Sequence, residues 1–299
     1  MKVNRSGRSA GMGLGLGLGL ERGEPPASGP AVALPAGSPR VSVVIPAKNE
    51  ARNLPWVLRS LPGGLHEVIL VDGHSVDATV ETARLHRPDI VVVPQTRRGK
   101  GNALACGFAA CTGDIVVMLD ADGSAHPAEI ADFVRALVNG ADFAKGSRYL
   151  PGGGSSDLTR LRSLGNTVLN LLANRLYRTS YTDLCYGYNA FWRRCVKAFG
   201  LPPVEGTEPV VGDGFEIETL LTVRVAQARL AVAEVPSYEF DRLHGESNLQ
   251  AVGDGWRVLR VILSERRAEA TRRAHHRLAA TVDHFEQHAP DLNPSAGGN

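Results

Sequence analysis

Two aspartates separated by one residue are the part of the sequence best suited to bind a metal ion. Asp120 and Asp122 directly follow an apolar run at residues 114–119. If the backbone stays extended there, side chains two positions apart point the same way. Two adjacent carboxylates repel each other unless a cation lies between them. Mg²⁺ or Mn²⁺, held by one or two carboxylates and by phosphate oxygens, meets that requirement. The sequence therefore predicts a divalent metal site at this pair.

The elements that must position these aspartates are strands that alternate with helices. Four apolar runs, at residues 41–46, 67–72, 89–94 and 114–119, each precede a segment in which apolar residues recur at helical spacing. This alternation predicts a parallel, doubly wound α/β sheet with helices on both faces. Ligands of such sheets bind beyond the carboxyl ends of the strands, so the residues after each strand are candidates for a binding site.

The loops after these strands carry acids on one side and cations on the other. Glu50 follows the first strand, Asp72 ends the second, and Lys100 lies between glycines after the third. Helix capping explains one acid in each loop, but not the pair at Asp120 and Asp122. A crevice with this charge pattern suits a nucleotide diphosphate that is bridged to the protein by a metal ion.

Composition limits the remaining classes of function. The 299 residues contain 33 Lys and Arg against 31 Asp and Glu, a formal net charge of +2, which is too small for nucleic-acid binding by general phosphate attraction. The four cysteines form no CxxC pair, so neither a zinc site nor a disulfide framework is predicted. No run of about 18 apolar residues occurs. We therefore expect a cytoplasmic protein that is soluble or peripheral to the membrane.

Several segments occur in the order seen in family 2 glycosyltransferases. They are VSVVIPAKNE, EVILVDGHSVDAT, RRGKGNALACGFAACTGDIVVMLDADGSAHPAEI, FAKGSRYLPGG, DLCYGYNAF, DGFEIETLL and EVPSYEFDRLHGESNL. Over about residues 41–260 the chain most resembles the dolichol-phosphate (polyprenyl-phosphate) mannosyl- and glucosyltransferase branch. The resemblance implies a GT-A fold, a nucleotide-sugar donor of GDP-mannose or UDP-glucose type, Mg²⁺ or Mn²⁺, and inversion at the anomeric carbon.

The resemblance also implies which residues bind the donor. By motif position, the base and ribose would be held by Pro46, Ala47, Glu50 and Asp72. Asp120 would lie near the ribose or diphosphate, and Asp122 would be the firmer metal ligand. Arg242, with Lys100, would stabilise the donor diphosphate.

The implied acceptor is a polyprenyl phosphate, and two arginines would hold its phosphate. They are Arg148 in the GSRY segment and Arg162 in the following helix. A phosphate monoester carries about −1.5 to −2 charge at neutral pH, so it attacks the anomeric carbon without a general base. Positioning by arginine then replaces acid–base chemistry.

Two other functions stay open. Transfer to a hydroxyl acceptor would need a carboxylate base, for which Asp183, Asp213 and Glu216 are the candidates. Since residues i and i+2 do not share a helix face, at most one of Glu216 and Glu218 is expected to face the site. A non-catalytic nucleotide-sugar binding protein is the third possibility.

Some positions depart from the family pattern. Lys48 replaces the tyrosine of PAYNE, and the VDDGS segment is VDGHS here. Ser124 replaces a glutamine after the aspartate pair, and Asn248 replaces the lysine of RxxGESK. These changes leave the fold prediction untouched and weaken the transfer of a mannosyl donor in particular.

Composition divides the chain into three parts. Residues 1–38 hold a Gly-Leu repeat and several prolines, which predicts a disordered leader; a cleaved secretory signal is the alternative. Residues 39–264 form the expected GT-A domain, and residues 265–299 a helical and then disordered tail. A helix expected from Trp256 to about Leu278 would either lie at the inner face of the membrane or pack on the domain.

Overall fold

The computed structural model describes Leu34, residues 37–245 and residues 251–288. Its main sheet contains β1 (Val41–Ala47), β2 (Glu67–Asp72), β3 (Val91–Pro94), β4 (Ile115–Met118), β5 (Phe143–Ser147), β7 (Asn189–Trp192) and β8 (Val232–Pro236). A small second sheet pairs β6 (Gly154–Ser155) with β9 (Tyr238–Glu239). The helices are α1 (Leu54–Arg59), α2 (Thr79–His86), α3 (Lys100–Ala110), α4 (Ile130–Val138), α5 (Arg160–Tyr177), α6 (Val196–Phe199), α7 (Ile217–Gln227) and α8 (Ala251–His288).

The predicted mostly parallel α/β sheet is confirmed. The strand order is β3-β2-β1-β4-β7-β5-β8. β1 pairs in parallel with β2 and β4, and β2 pairs in parallel with β3. β7 runs antiparallel between β4 and β5, and β8 returns parallel to β5. The four strands predicted from the sequence are therefore β1 to β4, and the other three strands of the main sheet were not predicted.

The apolar strands are buried on both faces, as the unalternating sequence predicts. Val43, Val44 and Ile45 are successive residues of β1, and none of them is exposed. Val43 and Ile45 pack in a cluster with residues of α1 and α4, whereas Val44 packs in a cluster with residues of α3 and α7. Helices thus cover both faces, and the sheet edge with the carboxyl ends of β1 and β4 is left for a site.

The C-terminal helix packs on the domain. Val258 and Ile262 of α8 form a cluster with Ala173 of α5, Leu184, and Val223 of α7. α8 continues through residue 264, the expected end of the GT-A domain.

Several predictions from composition concern residues outside the described part of the chain. They are those for residues 1–33, Asn248 and residues 289–299. Among the helices that the structure describes, none combines the length and apolar character needed to cross a bilayer.

Candidate functional site

The candidate site lies where the strand order changes direction. β2 and β3 extend from β1 on one side and β4 lies on the other, so the loops after β1 and β4 diverge and leave a crevice. The loop after β1 carries Glu50, and the loop after β4 carries Asp120 and Asp122. The topology therefore brings these three predicted residues to one edge of the sheet.

Lys100 joins two carboxylates at this crevice. Its Nζ lies 2.7 Å from Asp120 Oδ1 and 2.8 Å from Glu218 Oε1. Burial alone would lower the pKa of Lys100, but the negative charges of Asp120 and Glu218 outweigh it and raise the pKa. Burial raises the pKa of Glu218, and Lys100 opposes that shift. Lys100 is therefore a charged side chain held by two acids.

Arg242 makes the second cationic bridge, between the loops after β1 and β4. Its Nη1 lies 3.3 Å from Asp122 Oδ2, and its Nη2 donates to Glu50. Ser124 holds the other oxygen of Asp122, with its Oγ 2.7 Å from Asp122 Oδ1. Asn53 also donates to Glu50. The residue that replaces the family's glutamine, Ser124, thus orients a predicted metal ligand.

Among the ion-paired side chains of the crevice, carboxylates outnumber cations. Four carboxylates meet two cationic side chains: Glu50, Asp120, Asp122 and Glu218 against Lys100 and Arg242. When all four carboxylates are ionised, an excess of two negative charges remains. Burial and then the negative charge of Asp120 raise the pKa of Asp122. Asp120 and Asp122 therefore lie close enough to repel each other, and a divalent cation would relieve that repulsion.

The donor set suits a cation that is bound together with phosphate. No group of three or more His, Cys, Asp or Glu side chains within the described residues is arranged as a metal site. Mg²⁺ characteristically takes one or two carboxylates and completes its shell with water and substrate phosphates. Asp120 and Asp122 fit that mode, with Asp122 already oriented by Ser124.

The remaining predicted donor residues lie along the same edge. Ala47 is the buried last residue of β1, after the half-buried Pro46. Its carbonyl accepts a hydrogen bond from Gly73 N at 2.7 Å. Asp72 ends β2, and both of its carboxylate oxygens lie 3.3 Å from Ser75 N. The tips of β1 and β2 are therefore tied together beside the crevice.

A loop from the second half of the chain closes over the start of α3. Arg97 forms a buried ion pair with Asp213, with Nε–Oδ2 at 2.8 Å. Gly101 N donates to the Asp213 carbonyl at 2.8 Å. A Cβ on Gly101 would lie 1.8 Å from the Gly212 carbonyl oxygen, so only glycine fits there. This contact also positions α7, which carries Glu218.

Arg148 lies in a buried network at the end of β5. It donates to Asp183 through Nε at 2.7 Å and Nη2 at 2.9 Å, and to Glu239 through Nη1 at 2.9 Å. Its guanidinium lies 4.9 Å from the ring centroid of Tyr186. These bonds use three of the five N–H donors of an arginine.

A cavity of about 470 Å³ opens beside Arg148 at the start of α5. The residues that α5 contributes share one helical face: Arg160, Ser163, Leu164 and Thr167. Arg162 is not among the lining residues, because its Nη1 donates to Asp157 Oδ2 at 2.7 Å. The structure therefore places Arg160, rather than the predicted Arg162, beside Arg148 at this cavity. Arg160 lies three residues before Ser163 and seven before Thr167, a spacing that places the three on one helical face and could have identified Arg160.

The three carboxylates considered as general bases are all engaged. Asp183 accepts from Arg148 and Asn166, and Asp213 accepts from Arg97. Glu216 accepts from the backbone N–H groups of the loop before α7. Glu218 faces Lys100 instead, which confirms that only one of the two glutamates faces the site.

The fold and its crevice define the GT-A class of α/β protein. The chain belongs to glycosyl transferase family 2, because the model of that family matches residues 42–200. An undecaprenyl-phosphate mannosyltransferase of Micrococcus luteus is 31% identical over 219 residues, which are 70% of this chain and 87% of the relative. These findings confirm the resemblance to family 2 and are consistent with its polyprenyl-phosphate branch.

Two further comparisons extend this finding. A dolichol-phosphate mannosyltransferase of Pyrococcus furiosus is 30% identical over 221 residues, 71% of this chain, and the match spans 59% of that relative. Glucosyl-3-phosphoglycerate synthase from Mycobacterium tuberculosis, solved with Mn²⁺, UDP and glucosyl-3-phosphoglycerate, superposes with a TM-score of 0.58 at 28% identity. That match covers 77% of this chain and 80% of the synthase chain.

Proposed function

We propose that this glycosyltransferase moves a hexose from a nucleotide-diphosphate sugar, of GDP-mannose or UDP-glucose type, to a polyprenyl phosphate. Relatives named for undecaprenyl phosphate and dolichol phosphate support this choice of acceptor. The proposed location is the cytoplasm, at the inner face of the membrane, where a soluble donor meets a lipid acceptor. Residues 39–264 are the proposed catalytic unit.

The observation that carries the proposal is the engagement of the candidate bases. A hydroxyl acceptor must lose a proton, and a carboxylate whose oxygens already accept hydrogen bonds from an arginine is not free to approach that hydroxyl group. Asp183 and Asp213 are each held by such a guanidinium. A phosphate acceptor needs no base. The ion pairs that Arg148 and Arg97 form therefore favour phosphate as the nucleophile.

The cavity beside Arg148 is the proposed acceptor site. Arg160 supplies positive charge there beside Arg148, whose own charge is paired with Asp183 and Glu239. Ser155 and Ser163 supply hydroxyl groups, and Leu164 is among the apolar side chains. A phosphate with an attached hydrocarbon chain matches this mixture of linings. Arg162 keeps its predicted acceptor role only if it leaves Asp157 when the lipid binds.

On the donor side, the crevice residues orient the leaving diphosphate. Lys100 and Arg242 are the cations of that crevice, and Asp120 and Asp122 would hold Mg²⁺ or Mn²⁺. The bound ion would neutralise charge on the diphosphate. As the acceptor phosphate oxygen bonds to the anomeric carbon, the bond to the donor diphosphate breaks and its electron pair leaves with the nucleotide. Attack from the far side inverts the anomeric configuration.

A second candidate is transfer to a small phosphorylated hydroxy acid. The observation that favours it is the structural similarity to glucosyl-3-phosphoglycerate synthase. Such an acceptor also carries a phosphate, which the cavity beside Arg148 would hold. It reacts through a hydroxyl group, however, and then one of the engaged carboxylates would have to be released.

The test is a matrix of donors and acceptors. GDP-mannose, UDP-glucose and related sugars are each combined with polyprenyl phosphate, 3-phosphoglycerate or a free alcohol, with Mg²⁺ or Mn²⁺ present. We expect release of nucleoside diphosphate to depend on polyprenyl phosphate and to stop in excess chelator. Activity with 3-phosphoglycerate alone would establish the second candidate. Donor binding without any release would identify a non-catalytic binding protein.

A further inference from the structure

Helix α5 exposes an apolar stripe that nothing else in the described chain covers. The stripe consists of Leu161, Leu164, Val168 and Leu171, whose exposed fractions are 66%, 62%, 58% and 71%. Their spacing of three, four and three residues places them on one face of the helix. The opposite face is held to the domain by Asn166 and Ala173, which are both buried. The stripe is therefore a continuous outward surface of a well-anchored helix.

The charged residues of helix α5 are all arginines. Exposed arginines lie near its two ends, Arg160 before Leu161 and Arg175 one turn after Leu171. The helix sequence RLRSLGNTVLNLLANRLY contains no acidic residue. A helix with an apolar face flanked by arginine is suited to lie in a membrane interface, with its apolar side chains among acyl chains and its cations near anionic headgroups.

The stripe also adjoins the proposed acceptor cavity. Leu164 belongs to both the stripe and the cavity lining, and Arg160 lines the cavity at the same end of α5. A lipid whose hydrocarbon chain lies in the bilayer would thus reach the cavity with its phosphate without leaving the membrane.

We propose that the stripe of α5 is the surface by which this protein docks on a membrane rich in anionic phospholipid. This inference rests on the proposed lipid acceptor and names the surface that meets it. Helix α8, for which the sequence left membrane contact and packing on the domain both open, buries Val258, Val261 and Ile262 against the domain and leaves Trp256 and Leu263 61% and 40% exposed.

A second copy of the chain is a poorer occupant of the stripe. In a two-fold contact the same surface faces itself. The arginines of one α5, Arg160 and Arg175, would then meet arginines of the other, and the helix has no acid to pair with them. An anionic headgroup surface supplies the missing negative charge.

The first experiment is sedimentation of the full chain with vesicles. Vesicles of phosphatidylcholine alone are compared with vesicles that contain phosphatidylglycerol, at low and high salt. We expect binding to the anionic vesicles that weakens with salt, because exposed charges are screened. Sedimentation velocity of the free protein should show a monomer. A dimer that the stripe variants dissociate would overturn the inference in favour of self-association.

The test variant is Leu161→Asn/Leu171→Asn, which leaves the cavity lining intact. Each of these leucines would bury a large apolar area in the bilayer, so we expect the affinity of the variant for anionic vesicles to fall by about tenfold or more. The matched control is Leu85→Asn/Val138→Asn, which removes two side chains that are 77% and 55% exposed on other helices. All variants should melt like the parent. Equal loss in test and control variants would overturn the inference.

An activity measurement separates this inference from the proposed function. Transfer to a short, water-soluble prenyl phosphate should be unchanged in the test variant, whereas transfer to a long polyprenyl phosphate in anionic vesicles should fall with vesicle binding. If the parent uses the short acceptor without binding vesicles, the docking inference fails and the proposed function stands. If the parent binds vesicles but transfers to neither lipid, the proposed function fails.

Discussion

Replacing Glu129 with glutamine should stabilise the protein at alkaline pH and change little near pH 5. Glu129 ends a short turn before α4, and its carboxylate accepts from Ser237 Oγ and from Tyr238 N at 3.1 Å. Burial raises the pKa of Glu129 to about 7, although these two hydrogen bonds oppose the shift. The folded protein therefore holds a proton at this site more tightly than the unfolded chain does.

The sign and size of the effect follow from linkage. A carboxyl whose pKa is raised on folding contributes stability while it is protonated, and this contribution is lost as pH rises from about 4.5 to about 7. With those two values, the loss between pH 5 and pH 8 is about 2.5 kcal/mol. The partial exposure of the Glu129 side chain makes this an upper limit. Glutamine does not titrate, and its amide can accept from Tyr238 N and donate to Ser237 Oγ.

Chemical denaturation of the parent and Glu129→Gln at pH 5, 6, 7 and 8 would measure the difference. The free energy of unfolding of the variant should gain on the parent by about 2 kcal/mol across this range. Glu81→Gln, at an exposed position on α2, controls for the loss of a negative charge. A constant difference between Glu129→Gln and parent would refute the buried, proton-binding state of Glu129.

Three further outcomes follow from the site. Asp122→Asn should reduce transfer by about 10²–10³-fold while the melting temperature stays near that of the parent; near-parental turnover would contradict the metal assignment. Arg97→Met should lower the free energy of unfolding by about 3–5 kcal/mol, because it leaves Asp213 buried without its partner. Limited proteolysis should then cut the loop at residues 201–216. An unchanged digestion pattern would contradict the role of the Arg97–Asp213 ion pair in holding this loop. Arg160→Ala should raise the KM for lipid phosphate more than Arg162→Ala does, and the KM for the donor should be unchanged in both variants. A larger effect of Arg162→Ala would favour Arg148 and Arg162 as the residues that hold the acceptor phosphate.

Much of the nucleotide-binding half follows from local sequence. The run EVILVD predicts the strand that the structure shows at Glu67–Asp72, and the helical spacing after the third apolar run is observed as the helix at Lys100–Ala110. These segments succeed because continuous apolar strands and helical spacing are local signals. The antiparallel β7 was not among the predicted strands, because its pairing with β4 and β5 depends on partners distant in sequence.

The site follows from the sequence only in part. Motif position indicates Lys100 and Arg242, but not that one of them bridges to Glu218. The choice between Arg160 and Arg162 depends on how α5 is rotated about its axis. Contacts with residues distant in sequence hold that orientation, among them the hydrogen bond from Asn166 to Asp183 at 3.1 Å. Helical spacing groups Arg160 with Ser163 and Thr167, but it does not say which face of α5 turns towards the cavity.

The residues of the crevice come from distant parts of the chain, so they are synthesised at different times. Arg242 lies 120 residues after Asp122, its ion-pair partner. At a synthesis rate of 5–20 residues per second, the acid emerges roughly 6–24 seconds before the arginine. A nascent chain that has completed β1 to β4 thus carries acids of the crevice without Arg242. The bridge from Arg242 to Asp122 therefore forms only after β9, at Tyr238–Glu239, has also been synthesised.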